Sequence, residues 1–274
     1  MPPLRCAYLD LDGTLLGRGG SLFHDAAGDF TLLGARALEA CARAGTEVVI
    51  VSGRRHATVL ADARILGARA WAFEAGCGLV LDGELEWLTD GLEPRDGATI
   101  FDLIARTGAP DLLLEHYAGR LEYHAPWHLH RDVSHLFRGE VDAEEADALL
   151  AGHGLDTLRL VDNGAIGPPS ATLPDVQRPR AYHLIPRGAS KARAAARHQQ
   201  ARGYAPQECL AVGDSREDLG LAAVVGSYWV VANALERDPS IRDDLAAVGN
   251  VRVSEERNGP GVYEAVITEL AERR

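Results

Sequence analysis

The sequence lacks the features that define several large protein classes. Its four cysteines are scattered, with no CxxC motif and no paired spacing, which argues against a disulfide framework and predicts a reduced, cytoplasmic protein. No apolar run approaches the length of a membrane span, and the first residues carry no signal-peptide pattern. Internal repeats and low-complexity tracts are absent as well. We therefore expect a globular cytoplasmic protein with no membrane partner.

The sequence also has fewer basic residues than acidic ones. The 274 residues include 28 Lys and Arg against 40 Asp and Glu, a formal net charge of −12. Such a balance argues against non-specific binding to nucleic acid or to anionic membranes. An anionic substrate would also be weakly repelled, so a site for one needs its own local cations. The length allows one large domain or two modest ones.

Strand and helix patterns alternate at both ends of the chain. Residues 47–53, for example, form a β-branched run with little alternation, which is typical of a parallel strand buried on both faces. Strands that alternate with helices imply right-handed βαβ units and one parallel sheet. The sequence therefore predicts an α/β fold with a Rossmann-like core domain formed by residues 1–80 and 186–274.

Residues 81–185 do not follow this alternation of strands and helices. A hairpin is predicted around Asp82-Gly83, a helix over 142–152, and aromatic residues and histidines concentrate between them. We expect an inserted α+β cap domain here, crossing to the core near 79–83 and 183–188. Gly83 and Gly188 would supply the flexibility for closure of this domain.

Polar side chains follow three of the predicted core strands at their carboxyl ends, where parallel sheets place their chemistry. The first strand is followed by Asp10, Asp12, Gly13 and Thr14, the second by Ser52 and Gly53, and a third by Asp214 and Asp218. Lys191 opens the helix that re-enters the core domain. We expect these groups to converge on one site.

The residue types indicate phosphoryl chemistry. Asp10, Asp214 and Asp218 are hard oxygen ligands that suit Mg²⁺, which keeps waters and phosphate oxygens in its shell. A carboxylate such as Asp10 can accept a phosphoryl group covalently. Asp12 could give a proton to the leaving oxygen and later take one from water.

The remaining groups of the set could hold the phosphoryl oxygens. Ser52 offers a hydroxyl, Lys191 a point charge, and the backbone of Gly53 and of the turn through Gly13 and Thr14 offers N–H donors. Gly13 would also permit the tight turn that aims both aspartates at one point.

Four short motifs resemble those of a known family. "DLDGT" at 10–14, "VSGR" at 51–54, "RGASK" at 187–191 and "GDSRED" at 213–218 are similar, in order and context, to motifs I to IV of the haloacid dehalogenase-like (HAD) hydrolase superfamily. The resemblance covers the two core segments. It implies that Asp10 is the nucleophile, that Asp12 is the general acid and base, and that Ser52 and Lys191 hold the phosphoryl group.

The same resemblance implies the metal site and the class of substrate. Mg²⁺ would bind Asp10, the backbone carbonyl of Asp12 and Asp214, while Asp218 would support a metal-bound water. The insert resembles the type II cap of phosphatases of the Cof, sucrose-phosphatase and mannosyl-3-phosphoglycerate phosphatase kinds. We therefore expect a Mg²⁺-dependent phosphatase acting on a small phosphorylated metabolite, with a sugar phosphate as the expected substrate.

One residue departs from the pattern of that branch. Glu217 stands where an asparagine usually precedes the final aspartate of motif IV. An asparagine side chain both donates and accepts hydrogen bonds, whereas a carboxylate only accepts them. Glu217 either contacts the shell of the metal or points away from it.

The insert holds a cluster of aromatic and basic residues over 115–139. We predict that it lines the underside of the cap and contacts a polyhydroxylated ligand through His116, Tyr123, His124, Trp127, His128 and Arg131. His128 and His130 would share one face of a strand. That spacing could bind Zn²⁺, but no third ligand has a compelling spacing, so a second metal is not expected.

Two other functions remain open at this stage. A phosphosugar mutase would form the same aspartyl-phosphate and pass the phosphoryl group to a second hydroxyl. A catalytically silent sugar-phosphate-binding protein would keep the fold, although the intact Asp10, Asp12, Lys191 and Asp214 argue against it. In each case the partner is a small molecule, and the protein is expected to be a monomer or a homodimer.

Overall fold

The computed structural model describes residues 1–167, 171–245 and 248–273. The strands are β1 (Cys6–Leu9), β2 (Glu47–Val51), β3 (Ala70–Phe73), β4 (Gly78–Leu81), β5 (Glu84–Trp87), β6 (Leu121–Tyr123), β7 (His135–Gly139), β8 (Leu158–Ala165), β9 (Arg180–Pro186), β10 (Cys209–Gly213), β11 (Ser227–Val230) and β12 (Val251–Val253). The α-helices are α1 (Leu33–Ala44), α2 (His56–Leu66), α3 (Ile100–Ala105), α4 (Ala109–His116), α5 (Ala143–Gly152), α6 (Lys191–Arg202), α7 (Arg216–Leu219), α8 (Ala232–Arg237), α9 (Ile241–Leu245) and α10 (Asn258–Glu272). No helix in these described ranges has the length and apolarity needed to cross a membrane.

The larger sheet has eight strands in the order β12-β11-β10-β1-β2-β3-β4-β5. The six strands from β12 to β3 are parallel, and β4 and β5 add an antiparallel edge. Successive residues of a central strand enter opposite cores: Leu9 packs with α1 and α10, and Tyr8 packs with α6. Burial on both faces explains the continuous apolar runs of these strands. The predicted α/β fold with a Rossmann-like core is confirmed.

The smaller sheet is antiparallel, in the order β6-β7-β9-β8. Its apolar side chains form a separate core with α3, α4 and α5, in which Phe137, Tyr182 and Leu184 are fully buried. This sheet and its three helices form the inserted α+β cap, and the chain returns from β9 directly to α6.

The hairpin β4–β5 belongs to the larger sheet, not to the cap. Leu79 and Val80 pack into the two cores of that sheet, and β5 pairs with β4 along its whole length. The boundary predicted at residue 81 assigns β5 to the insert, whereas strand pairing favours an insert that begins after Trp87. Gly83 therefore lies in the hairpin turn and not at a crossing.

The two crossing segments are tied together by Asp90. Its carboxylate accepts hydrogen bonds from the backbone N–H of Gly188 at 2.8 Å and from Arg193 at 2.5 Å. A Cβ on Gly188 would lie 2.2 Å from a carboxylate oxygen of Asp90, so a larger residue there would displace the Asp90 side chain. Gly188 thus allows the two crossing segments to pack closely against each other.

Candidate active site

The carboxyl ends of β1, β2 and β10 meet at one edge of the larger sheet. Asp10 follows β1 and donates its backbone N–H to Val212 of β10, while Ser52 follows β2 and donates to Ala72 of β3. Parallel pairing places all these ends on the same side. The polar residues that follow these strands consequently lie at the same edge of the sheet.

Three buried carboxylates converge at this edge. Asp10, Asp214 and Asp218 each place an oxygen within 4.8 Å of the other two. Burial raises the pKa of Asp10 well above its usual value, and the charges of Asp218 and Asp214 raise it further against the opposing effect of Lys191. Burial also raises the pKa of Asp214 to about 6. A divalent cation would relieve this repulsion, and an all-oxygen donor set fits Mg²⁺.

Lys191 is the cation at the centre of the cluster. Its ammonium group lies 2.9 Å from Asp10 Oδ1 and 2.6 Å from Asp218 Oδ1, and the side chain is fully buried. Burial alone would lower the pKa of Lys191, but Asp10, Asp218 and Glu217 raise it well above its usual value. This lysine therefore carries a fixed positive charge beside the carboxylate that would accept a phosphoryl group.

Glu217 contacts Lys191 in this structure. Its carboxylate lies 3.2 Å from the ammonium group of Lys191 and accepts the backbone N–H of the same residue at 3.1 Å. The side chain is buried, and burial raises its pKa. Glu217 thus positions Lys191 at the start of α6, a role the family pattern did not suggest.

Gly13 and Thr14 are packed against Asp214. Gly13 has a φ of 84°, a left-handed backbone conformation that favours glycine. A Cβ there would also lie 2.1 Å from Asp214 Oδ2, so a side chain would disturb this aspartate. The hydroxyl of Thr14 donates to Asp214 at 3.3 Å, and its backbone N–H donates to Leu11. In this structure Thr14 therefore orients a candidate metal ligand, and its predicted contact with phosphate stays a prediction.

Two residues near Asp214 were missed by sequence reasoning. Arg237 on α8 lies 2.9 Å from Asp214 Oδ2, and Asn233 donates its amide to the carbonyl of Gly13 at 2.8 Å. Both residues follow β11, whose carboxyl end lies at the same edge of the sheet. Their position after a core strand could have identified them, whereas the four motifs do not include β11.

Asp12 is held away from the buried cluster by an arginine. Arg54 donates to both Asp12 oxygens, at 2.6 and 2.5 Å, and a third nitrogen binds Asp62 at 2.8 Å. The side chain of Asp12 is 59% exposed. The predicted role of Asp12 as general acid and base stays a prediction, and in this structure both of its carboxylate oxygens are bound by Arg54.

The loop after β2 is covered by the cap. Ser52 is buried and its hydroxyl accepts the backbone N–H of Arg54 at 3.2 Å. A Cβ on Gly53 would lie 3.0 Å from His183 Nε2 and 3.2 Å from Asn163 Nδ2. His183 on β9 and Asn163 on β8 thus reach the predicted phosphate-binding loop, and sequence reasoning identified neither residue.

Arg131 joins the cap to the core. Its guanidinium donates to Ser134 at 2.8 Å, to the carbonyl of Trp127 at 3.2 Å and to the carbonyl of Gly53 at 2.5 Å. The side chain is almost completely buried. The predicted contact between Arg131 and a ligand stays a prediction, since the two terminal nitrogens of a guanidinium each carry a further N–H group.

The other predicted cap residues are dispersed. His116 and Trp127 are exposed, His128 stacks on Tyr123 with ring centroids 5.0 Å apart, and burial lowers the pKa of His124 to about 4. Residues 125–130 form turns, so the expectation that two of their histidines share a strand face is wrong. Within the described part of the chain, the group of potential metal ligands is the aspartate cluster.

Comparison with known proteins places these features in a family. No family model matches the chain. A phosphoglycolate phosphatase from Halorubrum lacusprofundi is 30% identical over 241 residues, which cover 85% of this chain and 86% of the relative. A second one, from Methanoculleus marisnigri, is 32% identical over 158 residues, covering 57% of this chain and 56% of its own.

Solved structures share the fold at lower identity. The sucrose-phosphatase of Synechocystis matches with a TM-score of 0.67 at 16% identity, over 97% of this chain and 98% of that one. A haloacid dehalogenase-like hydrolase from B. subtilis matches with a TM-score of 0.60 at 19% identity, over 96% and 99%. Together with these relatives, the fold and the site define a phosphoric monoester hydrolase. The chain belongs to the haloacid dehalogenase-like phosphatases.

Proposed function

We propose that the protein hydrolyses a small phosphorylated metabolite by forming an aspartyl-phosphate on Asp10, with Mg²⁺ bound at the aspartate cluster. The observation that carries this proposal is the position of Asp10, buried beside Lys191 and two further carboxylates at the carboxyl edge of the sheet. A carboxylate in this position can attack phosphorus while the lysine balances the charge of the phosphoryl oxygens.

The reaction has two steps. An oxygen of Asp10 attacks phosphorus and the ester bond breaks, while Asp12 gives a proton to the leaving oxygen. Water then attacks the same phosphorus, Asp12 takes its proton, and phosphate leaves as the Asp10 carboxylate is restored. Because Arg54 occupies both oxygens of Asp12 in this structure, the first step requires that salt bridge to open.

Mg²⁺ would be held by Asp10 and Asp214, with Asp218 supporting its shell and Thr14 and Arg237 orienting Asp214. When bound, the cation stabilises negative charge on the transferring phosphoryl group. The protein's own residues provide the remaining charge balance: Lys191 contacts Asp10 directly, and Glu217 keeps that lysine in place.

The identity of the leaving group is the finer part of the proposal. The relative that covers most of the chain is named for phosphoglycolate, whereas the cap resemblance favours a sugar phosphate. A phosphate-release screen with Mg²⁺ over phosphoglycolate, sugar phosphates and polyol phosphates tests both. The proposed function would be contradicted if the protein is folded and releases phosphate from none of these compounds, and from p-nitrophenyl phosphate neither.

Mg²⁺ should stabilise the fold, and more so at pH 7.5 than at pH 5. Protons and the cation compete for Asp214, whose pKa is raised to about 6, so the site is largely protonated at the lower pH. At 100 times its Kd the cation should add about 2.7 kcal/mol to the free energy of unfolding. Thermal unfolding with and without Mg²⁺ measures this. The Asp214→Asn variant should show little shift, and an equal shift there would argue against the site.

Asp12→Asn should slow the reaction by an amount that depends on the leaving group. General acid catalysis is worth about 10²–10⁴ in rate, so an alkyl phosphate should lose this much. The first step with p-nitrophenyl phosphate should lose far less, because p-nitrophenolate leaves without a proton. Burst kinetics separate this step from the hydrolysis of the phosphoenzyme. Equal activity of wild type and variant on the alkyl phosphate would contradict the role of Asp12.

A further inference from the structure

Glu217 places a buried carboxylate beside the ammonium group of Lys191. Only 4% of its side chain is exposed, and Oε2 lies 3.2 Å from Lys191 Nζ. Oε1 accepts the backbone N–H of Lys191 at 3.1 Å. Within the described residues, Oε2 accepts no hydrogen bond although it is buried. One oxygen of this carboxylate therefore holds the start of α6, and the other contributes mainly its negative charge.

The ammonium group of Lys191 is already oriented by two other carboxylates. It donates hydrogen bonds to Asp10 at 2.9 Å and to Asp218 at 2.6 Å. Asp218 is itself fixed by Ser215, whose hydroxyl and backbone N–H donate to its other oxygen at 2.6 and 3.1 Å. The charge of Glu217 is thus added to an ammonium group that these two hydrogen bonds hold in place.

The contacts of Glu217 favour its ionised form. Burial raises the pKa of Glu217, and the charge of Lys191 opposes this effect. Each oxygen of the carboxylate faces a nitrogen of Lys191 that carries hydrogen, an arrangement that stabilises the negative charge. The single ammonium group is then faced by three carboxylates, from Asp10, Asp218 and Glu217. Negative charge is therefore in excess around Lys191.

A phosphoryl group bound at Asp10 would enter this negative environment. A phosphate group carries about two negative charges at pH 7, and it would share Lys191 with Glu217. Asparagine, which usually stands at this position in the branch that the insert resembles, is neutral and can donate a hydrogen bond. Charges interact more strongly in a buried site than in water. A glutamate at position 217 should consequently disfavour a bound phosphate.

We propose that Glu217 weakens the binding of phosphate at Asp10 and Lys191, and that it thereby speeds release of the product and limits inhibition of the enzyme by inorganic phosphate. Glu217 acts through Lys191, so it is a positioning residue and not a catalytic one. The inference rests on the proposed function, since it assumes that the phosphoryl group binds beside Asp10 and Lys191.

Inorganic phosphate is the probe, and calorimetric titration measures its Kd without turnover, at a Mg²⁺ concentration that saturates each variant. In Glu217→Gln, which keeps an oxygen for the backbone N–H of Lys191 and removes the charge, the Kd should fall about 10-fold. Glu217→Asn should shift the Kd in the same direction. In Glu217→Asp, which keeps the charge, the Kd should stay close to the wild-type value. The inhibition constant of phosphate against p-nitrophenyl phosphate should follow the same order.

The control variant is Glu115→Gln, which removes a negative charge from an exposed residue of α4 and should leave the Kd unchanged. Unchanged or weaker phosphate binding in Glu217→Gln and Glu217→Asn proteins that unfold near the wild-type temperature would overturn the inference, because Glu217 would then only support Lys191. Equal tightening in Glu217→Asp would also overturn it, because the charge would not be the cause. If the wild type neither binds phosphate nor hydrolyses p-nitrophenyl phosphate, the proposed function fails instead.

Discussion

Asp10→Asn should abolish turnover while the protein remains folded. An amide oxygen is a poor nucleophile, and Asp10 is the carboxylate that accepts the phosphoryl group in the proposed mechanism. Loss of the nucleophile costs on the order of 10⁶ in kcat in another class of hydrolase, and we expect a loss of comparable order here. The measurement is phosphate release under saturating substrate, with intact-mass analysis to exclude deamidation back to aspartate.

A matched control is available for this experiment. Asp243 is an exposed residue of α9, far along the chain from every motif, and Asp243→Asn should leave turnover unchanged. The circular dichroism spectrum and Mg²⁺-free unfolding temperature of Asp10→Asn should show a folded protein. Turnover near the wild-type rate in a verified Asp10→Asn sample would remove Asp10 from the mechanism.

Glu74→Ala should produce the largest loss of stability. Glu74 follows β3 in the core, is fully buried, and accepts backbone N–H bonds from Asp132, Val133 and Ser134 at 2.8, 3.1 and 2.6 Å. Arg131 lies 3.6 Å from the same carboxylate. Removing one partner of a buried ion pair typically costs about 3–5 kcal/mol, and here three further donors lose their acceptor.

Urea unfolding of Glu74→Ala measures this cost, with the exposed Glu93→Ala as the matched control. Because the bonds of Glu74 join the core to the cap, the variant should also lose the docking of residues 131–134 and become more sensitive to proteolysis there. A change in the free energy of unfolding below about 1 kcal/mol would show that Glu74 does not hold the cap.

The core site could be predicted because its residues follow local rules. Asp10, Ser52 and Asp214 each come directly after an apolar strand, and parallel pairing brings such positions to one edge whatever the rest of the fold does. The α/β alternation is also a local pattern, since each strand and helix can be recognised within ten residues or so. These parts of the structure can therefore be predicted from short stretches of sequence.

The residues that join cap and core carry no such signal. Glu74 binds residues about 60 positions away, and Ser134, one of these residues, also contacts His183. Nothing local distinguishes these side chains from an ordinary surface glutamate or a strand histidine. Glu217 was noticed for departing from a motif, but its contact with Lys191 depends on how α6 and α7 pack. Arg131 was noticed for its charge, and its buried position could not be read from the sequence.

The central claim is that Asp10 carries the phosphoryl group, and trapping that intermediate tests it most directly. Asp12→Asn should slow hydrolysis of the phosphoenzyme, so this variant is mixed with p-nitrophenyl phosphate and Mg²⁺, quenched in acid within the burst, and reduced with borohydride. Reduction converts an aspartyl-phosphate to homoserine, which peptide mass spectrometry locates. We predict homoserine at position 10, in an amount that matches the burst of p-nitrophenolate. A burst without modification of Asp10, or with homoserine at Asp214 or Asp218, would contradict the account.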